Sequence, residues 1–250
     1  MSISLDEAVE LTRTGDVWVF RGRSVPDRAI QFTTNSPVNH VGMAVVLDDM
    51  PPLMWHAELG RSLPDLWSGT HQRGVQLHDL RDAVCVWANR YGQRAWLRQL
   101  DPPAAGEMER AVLRTVARLD GTPFPSTAQL AWRWVRGRVP SLPVPGRAAL
   151  RAVSRAAQAT RVNPAAPGPA ASRANPTAPA APVSAAARER ALETAYCAEV
   201  VAVTYEAMGL LPAGKRPNWY DPGRFWSGDD LGLTGGARLG AEIEVRVPPR

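Results

Sequence analysis

The stretch "NSPVNHVGMAVV", residues 35–46, places a histidine at the start of an apolar run. An apolar run of this length that follows a Ser-Pro turn predicts a β-strand. Side chains alternate along a strand, so His40, Gly42 and Ala44 share one face, and Val41 begins the other. The stretch therefore raises two alternatives for His40, a surface histidine at a strand end or a catalytic base.

Further strands and two helices are predicted on either side of this stretch. Alternating or short apolar runs indicate strands, whereas an apolar stripe at helical spacing indicates a helix. The predicted strands are residues 14–22, 40–47, 53–59, 83–90 and 241–247, and the predicted helices are 104–121 and 197–211. The strands 40–47 and 53–59 are close enough in sequence to form a hairpin. This order predicts an α+β domain with an antiparallel sheet packed on helices.

Composition narrows the class of protein. The chain has 250 residues, of which 45% are hydrophobic, enough for one domain with a sizeable core. Its two cysteines lack the spacing of a zinc site or a disulfide framework, and it has no glycine-rich phosphate loop, so no metal and no cofactor are expected. No run of 18 apolar residues and no secretory signal occurs, so we expect no transmembrane segment and a cytoplasmic location.

The positive charge is concentrated in one segment. The net charge is +5, and no acidic residue occurs between Asp120 and Glu189, a segment that contains nine arginines. We divide the chain into an N-terminal part at 1–139, a basic Ala/Pro/Arg-rich insertion at 140–187 and a C-terminal part at 188–250. Within the insertion, 162–184 is predicted to be disordered. The insertion suggests binding to an anionic surface, whereas the acidic remainder argues against a specific nucleic-acid partner.

Cys197 lies on the apolar stripe of the second predicted helix. If Thr194 is the N-cap, the sulfur lies in the first turn, where the helix dipole stabilises a thiolate. If the helix instead begins near Ala185, Cys197 is a buried and inert thiol. The small side chains at Gly42 and Ala44 would let this helix pack closely on the His40 face of the strand, which would carry the cysteine toward the histidine.

Several motifs, in a particular order, connect these residues to a known family. They are "GDVWVF", "SPVNHVGMAVV", "WHAE", "DGTPF" and, after a long gap, "YCAEVVAVTYEAMGLL". In this order they resemble the circularly permuted papain-like cysteine hydrolases of the YiiX and YaeF type, within the NlpC superfamily, with lecithin:retinol acyltransferases as distant kin. Histidine before cysteine is the order of the permuted members. The resemblance covers roughly residues 12–125 and 190–250.

The resemblance implies roles for individual residues. It implies that Cys197 is the nucleophile, that His40 is the general base, and that Tyr196 matches an aromatic residue before the nucleophile. The third member, which orients the imidazole, is a Glu in the YiiX-like group and a His in the acyltransferase group. His56 occupies that position and is expected to lie opposite His40, while Glu58 is an alternative or a support on the same strand face.

Other polar residues have weaker claims to a site. Asn39 either lines the site beside the histidine or caps the turn. Cys85 is expected to be a structural residue within the strand 83–90, and His71 and His78 are expected to be exposed.

These residues and the resemblance together predict a permuted papain-like fold and acyl-transfer chemistry. The thiolate would attack an amide or ester carbonyl, and water or an amine would resolve the thioacyl intermediate. The expected substrates are a small molecule, a peptide or cell-wall amide, or a lipid acyl group. The alternative is a catalytically idle binding or scaffold module that uses its Arg-rich arm to hold anionic partners.

Overall fold

The computed structural model describes residues 1–22, 37–58, 60–123, 197–213, 219–226 and 231–249. Its strands are β1 (Ser2–Ser4), β2 (Val17–Arg21), β3 (His40–Val45), β4 (Leu53–Glu58), β5 (Gly74–Asp79), β6 (Arg94–Arg98), β7 (Leu100–Asp101), β8 (Arg238–Leu239) and β9 (Ile243–Arg246). Its α-helices are α1 (Leu5–Leu11), α2 (Leu80–Tyr91), α3 (Glu107–Leu119) and α4 (Cys197–Ala207), and a 3-10 helix spans Pro222–Phe225.

Seven strands form one sheet in the order β1-β9-β6-β2-β3-β4-β5, and β7 pairs with β8 in a second, two-stranded sheet. Within the larger sheet β1 runs parallel to β9, and the other neighbouring strands are antiparallel. The α+β class with a mostly antiparallel sheet is therefore confirmed.

The predicted hairpin is confirmed and has a defined register. Strands β3 and β4 pair antiparallel, with Met43 opposite Trp55. A Cβ atom added to Gly42 would lie 3.3 Å from the Cβ of His56, so these two residues are cross-strand neighbours. His56 is thus opposite Gly42 and not opposite His40, and the predicted register was wrong by two residues.

The prediction of a strand at 83–90 is wrong, because this segment belongs to helix α2. The Asp79 side chain caps the helix by accepting a hydrogen bond from the Asp82 amide, and the helix ends at Gly92, whose φ is 64°. Its buried residues are Leu80, Ala83, Val84, Cys85 and Trp87, which is helical spacing. The alternation of Val84 and Val86 within eight residues imitated a strand. The expectation that Cys85 is a structural residue agrees with its burial in this helix.

The sheet has two covered faces. On one, the α4 face, helices α3 and α4 pack on a core that includes Val19, Val41, Met43 and Trp55. On the other, the α2 face, helices α1 and α2 pack on a core that includes Phe20, Ala44 and Met54. Successive residues of one strand thus enter different cores, as strand alternation requires.

Some sequence-based expectations fall outside the residues that the structure describes. They are the insertion at 140–187, its disordered part at 162–184, the N-cap Thr194 and Tyr196. In the described ranges, no helix has both the length and the apolar character needed to cross a membrane.

Candidate functional site

Helix α4 carries Cys197 onto the sheet face that is opposite to the predicted one. The indole Nε1 of Trp55 donates a hydrogen bond of 3.1 Å to Thr204 Oγ1, which ties the helix to the α4 face. The expected packing on Gly42 and Ala44 is therefore wrong. The space beside Gly42 is filled by Met54 instead, since a Cβ on this glycine would overlap the Met54 sulfur.

His40 is the first residue of β3, and its ring lies on the α2 face. Its ring centroid is 5.0 Å from that of Trp87, 5.4 Å from that of His56 and 5.8 Å from that of Phe20. The residue stays partly exposed, yet its Nε2 atom is buried and has no hydrogen-bond partner among the described residues. Aromatic rings thus surround the imidazole on the interior side.

Cys197 and His40 reach the same end of β3 from opposite faces of the sheet. The backbone amide of Val41, the residue after the histidine, makes a hydrogen bond to the thiol group of Cys197. In the described part of the chain, no hydrogen bond joins the Cys197 side chain to the His40 ring. The structure therefore brings the sulfur to the backbone beside His40, but not into contact with its imidazole.

Both groups are uncharged at neutral pH in this arrangement. Burial raises the pKa of the Cys197 thiol to about 12, although hydrogen bonds from the amides of Val41 and Ala198 act to lower it. Burial, together with repulsion from a His78 charge, lowers the pKa of His40 to about 4. A neutral thiol is a weak nucleophile, whereas a neutral imidazole is the form that can accept a proton.

A second polar group lies behind His40, on strands β4 and β5. His56 Nε2 lies 3.1 Å from His78 Nδ1, and His78 Nε2 lies 3.2 Å from Gln76 Oε1. His56 and Gln76 have no exposed surface, and His78 is 1% exposed. Burial lowers the pKa of His56, and charges on His78 and His40 would lower it further. The three side chains form a buried, hydrogen-bonded row that begins beside His40.

The expectation that His78 is exposed is wrong, whereas His71 is exposed as expected. Strand β5 pairs with β4 so that His78 lies opposite Met54 and Gln76 lies opposite His56. Strand alternation therefore turns both side chains of β5 toward the α2 face. Pairing between strands, which a single segment does not reveal, buries His78.

Glu58 has partners other than the histidines. Its Oε1 accepts hydrogen bonds of 2.6 Å from Ser62 Oγ and 3.3 Å from the Ser62 amide. Burial raises the pKa of this carboxyl, and the hydrogen bonds from Ser62 and from the Trp87 side chain act to lower it. Glu58 thus anchors the following loop and the indole that covers His40 and His56.

Asn39 makes the hydrogen bond that the turn-capping alternative requires. Its Oδ1 accepts a hydrogen bond of 2.6 Å from the Gly22 amide, and its own amide donates to the Phe20 carbonyl at 3.0 Å. These bonds join the start of β3 to the end of β2, which holds the strand end that carries His40.

Trp87, His78 and Gln76 adjoin the site but were not proposed from the sequence. The Trp87 centroid lies 4.8 Å from that of His56 in an edge-on arrangement. The signal for Trp87 was the helical face that begins after the Asp79 cap. The signal for the β5 residues was the alternation of "GVQLHD", which pairs with "LMWHAE". The described residues contain no group of three or more His, Cys, Asp or Glu side chains arranged to hold a metal ion.

Comparison with known proteins places the chain near a distantly similar solved structure. No protein-family model matches the chain, and no curated protein matches it. Among solved structures, the chain is similar to the crystal structure of metalloprotein yiiX from Escherichia coli O157:H7, DUF1105, at 21% identity and a TM-score of 0.36. The match covers 49% of this chain and 56% of that one, so it spans little more than half of the neighbour's length. The functional argument therefore rests on the side chains described above.

Proposed function

We propose that the protein is a cysteine-dependent acyl-transfer hydrolase with a permuted papain-like fold. One observation carries this proposal: the thiol group of Cys197 is hydrogen-bonded to the backbone amide of Val41, directly after His40. Thiol-based acyl transfer requires a nucleophilic thiol and an imidazole base. Here the thiol lies beside the backbone amide of the residue that follows His40. The order and spacing of the motifs around His40, His56 and Cys197 support the same function.

The reaction begins with transfer of the Cys197 thiol proton to His40. The thiolate then attacks the carbonyl carbon of an amide or ester, which forms a carbon–sulfur bond and moves an electron pair onto the carbonyl oxygen. The Cys197 backbone N–H stabilises this oxyanion. As the carbonyl re-forms, the bond to the leaving group breaks, and the leaving group takes the proton from His40.

The thioacyl intermediate is resolved by water or by an amine. His40 accepts a proton from the attacking molecule, the tetrahedral species collapses, and the released sulfur takes the proton back. The net reaction is hydrolysis when the acceptor is water and acyl transfer when it is an amine. The substrate classes are those the sequence suggested: a small molecule, a peptide or cell-wall amide, or a lipid acyl group.

The mechanism requires the His40 ring to move toward the sulfur. His40 is the first residue of β3 and is partly exposed. Its ring can therefore rotate about the side-chain bonds without disturbing the rest of the strand. Catalytic hydrogen bonds commonly tighten when substrate binds. Contact with an imidazolium would lower the pKa of Cys197 from its value of about 12 in this arrangement.

Thiol labelling tests this function and has a matched internal control. Cys197 and Cys85 are both free, with exposures of 4% and 3%, so burial alone predicts similar reactivity. With amide and ester electrophiles at pH 6 and a mass-spectrometric readout, we expect Cys197 to be labelled at least about tenfold faster than Cys85. The His40→Ala variant should abolish this preference, and Cys85→Ser should leave the labelling rate of Cys197 unchanged. Equal and slow labelling of both thiols in the wild-type protein would contradict the proposal.

The raised pKa of Cys197 favours a second candidate, a binding module without catalysis. A thiol with a pKa of about 12 is almost entirely protonated at neutral pH, and it packs within the α4-face core. Under this function Cys197→Ala should preserve both stability and binding. One measurement distinguishes the two candidates. After incubation with a thioester or ester substrate, the enzyme should carry a covalent acyl adduct on Cys197, and the binding module should not.

A further inference from the structure

Gln76 has a fixed orientation at the edge strand β5. Its Nε2 donates hydrogen bonds to the Gln72 carbonyl at 3.1 Å and to the Gly74 carbonyl at 3.3 Å. Carbonyl oxygens only accept, so the amide nitrogen of Gln76 must point toward them. Its Oε1 is therefore held toward His78 as an acceptor, at a site with no exposed surface.

The fixed Gln76 oxygen determines which nitrogen of His78 carries the proton. His78 Nε2 lies 3.2 Å from Gln76 Oε1, so Nε2 is the donor. Burial lowers the pKa of His78 to about 4, against the Asp65 charge and the Leu63 carbonyl, which act to raise it, so the ring is neutral at pH 7. A neutral imidazole protonated on Nε2 has a lone pair on Nδ1.

The same reasoning sets the tautomer of His56. Its Nε2 lies 3.1 Å from His78 Nδ1, and since His78 Nδ1 accepts, His56 Nε2 donates. His56 Nδ1 is then an acceptor. This atom is buried and has no hydrogen-bond partner among the described residues. A buried acceptor without a donor is energetically costly, so a hydrogen-bond donor is expected next to His56 Nδ1.

His40 supplies the matching donor. Its Nε2 is also buried without a partner in the described part of the chain. The centroids of His40 and His56 are 5.4 Å apart, only slightly more than the 4.9 Å between His56 and His78, whose nitrogens are hydrogen-bonded. At this centroid distance, ring rotation can bring the two unpartnered nitrogens into hydrogen-bond range. The Trp87 ring packs against both histidines, with centroid distances of 5.0 Å to His40 and 4.8 Å to His56.

We propose that Gln76 and His78 are positioning residues that hold His56 in the Nε2–H tautomer, so that its Nδ1 accepts from His40 Nε2–H and leaves His40 Nδ1 as the base. The inference rests on the proposed function for its kinetic consequence. The hydrogen-bond direction itself does not depend on catalysis. Each proton in the row points the same way, from His40 toward His56, from His56 toward His78 and from His78 toward Gln76.

Nitrogen-15 NMR of the imidazole rings tests this direction in the full-length protein. In the wild-type protein at pH 7, we expect the signals of His56 and His78 to show protonated Nε2 and unprotonated Nδ1. A His56 ring protonated on Nδ1 would overturn the proposal, whether or not any substrate is turned over. His71, which is exposed, serves as an internal reference for an unconstrained ring.

Two substitutions at His78 separate positioning from folding. His78→Met keeps an apolar side chain of similar size but removes the acceptor, so His56 should show a mixture of tautomers and kcat should fall about 10- to 100-fold with KM little changed. His78→Gln can accept from His56 and donate to Gln76, so it should restore the His56 tautomer and most of kcat. If His78→Met is folded, with an unchanged His56 spectrum and unchanged kcat, the positioning role is wrong.

A third variant keeps the test decisive when His78→Met does not fold. Gln76→Leu removes the fixed acceptor at the end of the row, and we expect it to release His78 and then His56 into mixed tautomers. Unchanged ring signals in folded Gln76→Leu would overturn the proposal. Failure of the proposed function gives a different result: no acyl adduct forms on Cys197 in the wild-type protein while the row keeps its direction.

Discussion

His56 Nε2 and His78 Nδ1 lie 3.1 Å apart across the pairing of β4 and β5, so one proton serves two buried histidines. A second proton between these atoms would place two donors face to face. Burial lowers the pKa of both rings, and a charge on His78 would lower that of His56 further. The α2 face therefore favours the neutral form of both imidazole rings.

The first prediction concerns stability against pH. His78 has a folded-state pKa of about 4, against 6.5 for a free histidine, so the unfolded chain binds more protons between these values. The free energy of unfolding should have its full value above pH 6.5. It should decrease as the pH falls toward 4, and His78 should account for at most about 1.4 kcal/mol per pH unit of this decrease. Urea titrations at several pH values measure it.

A control histidine isolates this effect. His78→Gln should reduce the pH slope, and His71→Gln, which removes an exposed ring, is the comparison variant. A stability that does not depend on pH between 4 and 6.5 would show that the buried rings do not lose their charge on folding.

The second prediction separates His56 from Glu58. His56→Ala removes the acceptor beside His40, and we expect the acylation rate to fall about 10- to 1000-fold through a mispositioned imidazole. Glu58→Ala should cost less than about tenfold, because its oxygen holds Ser62 and not a histidine. Single-turnover formation of the thioacyl adduct measures both rates. A larger loss for Glu58→Ala would make the carboxylate the third member.

The third prediction concerns the tight contact beneath the histidines. Gly42→Ala would place a methyl group against the sulfur of Met54, which is fully buried, and beside His56. We expect a loss of about 1–3 kcal/mol in the free energy of unfolding, and a shifted His56 ring signal. Gly240→Ala is the matched control, since its Cβ would lie 3.5 Å from the nearest atom and should change little. Equal effects of the two would mean that the α2 face tolerates the extra volume.

The fourth prediction concerns the attachment of the thiol-bearing helix. Trp55→Phe removes the hydrogen bond to Thr204 within the α4-face core and leaves a small void. We expect a loss of about 1–3 kcal/mol in the free energy of unfolding, and faster alkylation of Cys197 as α4 loosens. Trp67→Phe changes a side chain that is 71% exposed and should have no effect on either measurement. An unchanged alkylation rate in Trp55→Phe would show that this contact does not hold the helix.

The sequence was most informative where a pattern was local. The hairpin of β3 and β4 and the helices α3 and α4 follow from apolar runs whose period differs between strand and helix. Helix α2 was missed because Val84 and Val86 alternate over a short window, and the capping residue Asp79 and the terminating Gly92 lie outside that window. Signals at both ends of a segment were needed to assign it.

The candidate site was predicted less completely because it depends on contacts distant in sequence. Cys197 and His40 were chosen by residue type and order, but which face receives α4 depends on the packing of Met54 beside Gly42. The row from His56 to Gln76 requires the register between β4 and β5, which neither segment contains by itself. Tertiary packing decided both features.

Cys197 and His40 approach the same end of β3 from opposite faces of the sheet, so the sheet itself lies between them. Odd and even residues of β3 belong to different faces, and the sulfur contacts the amide of an odd position while the ring stands on an even one. A slip of the strand by one residue would exchange the two faces along its whole length and disrupt both cores. His40 is less restricted because it is the terminal residue of β3, so its ring can turn from the α2 face toward the strand end while Val41 and the residues that follow stay in place.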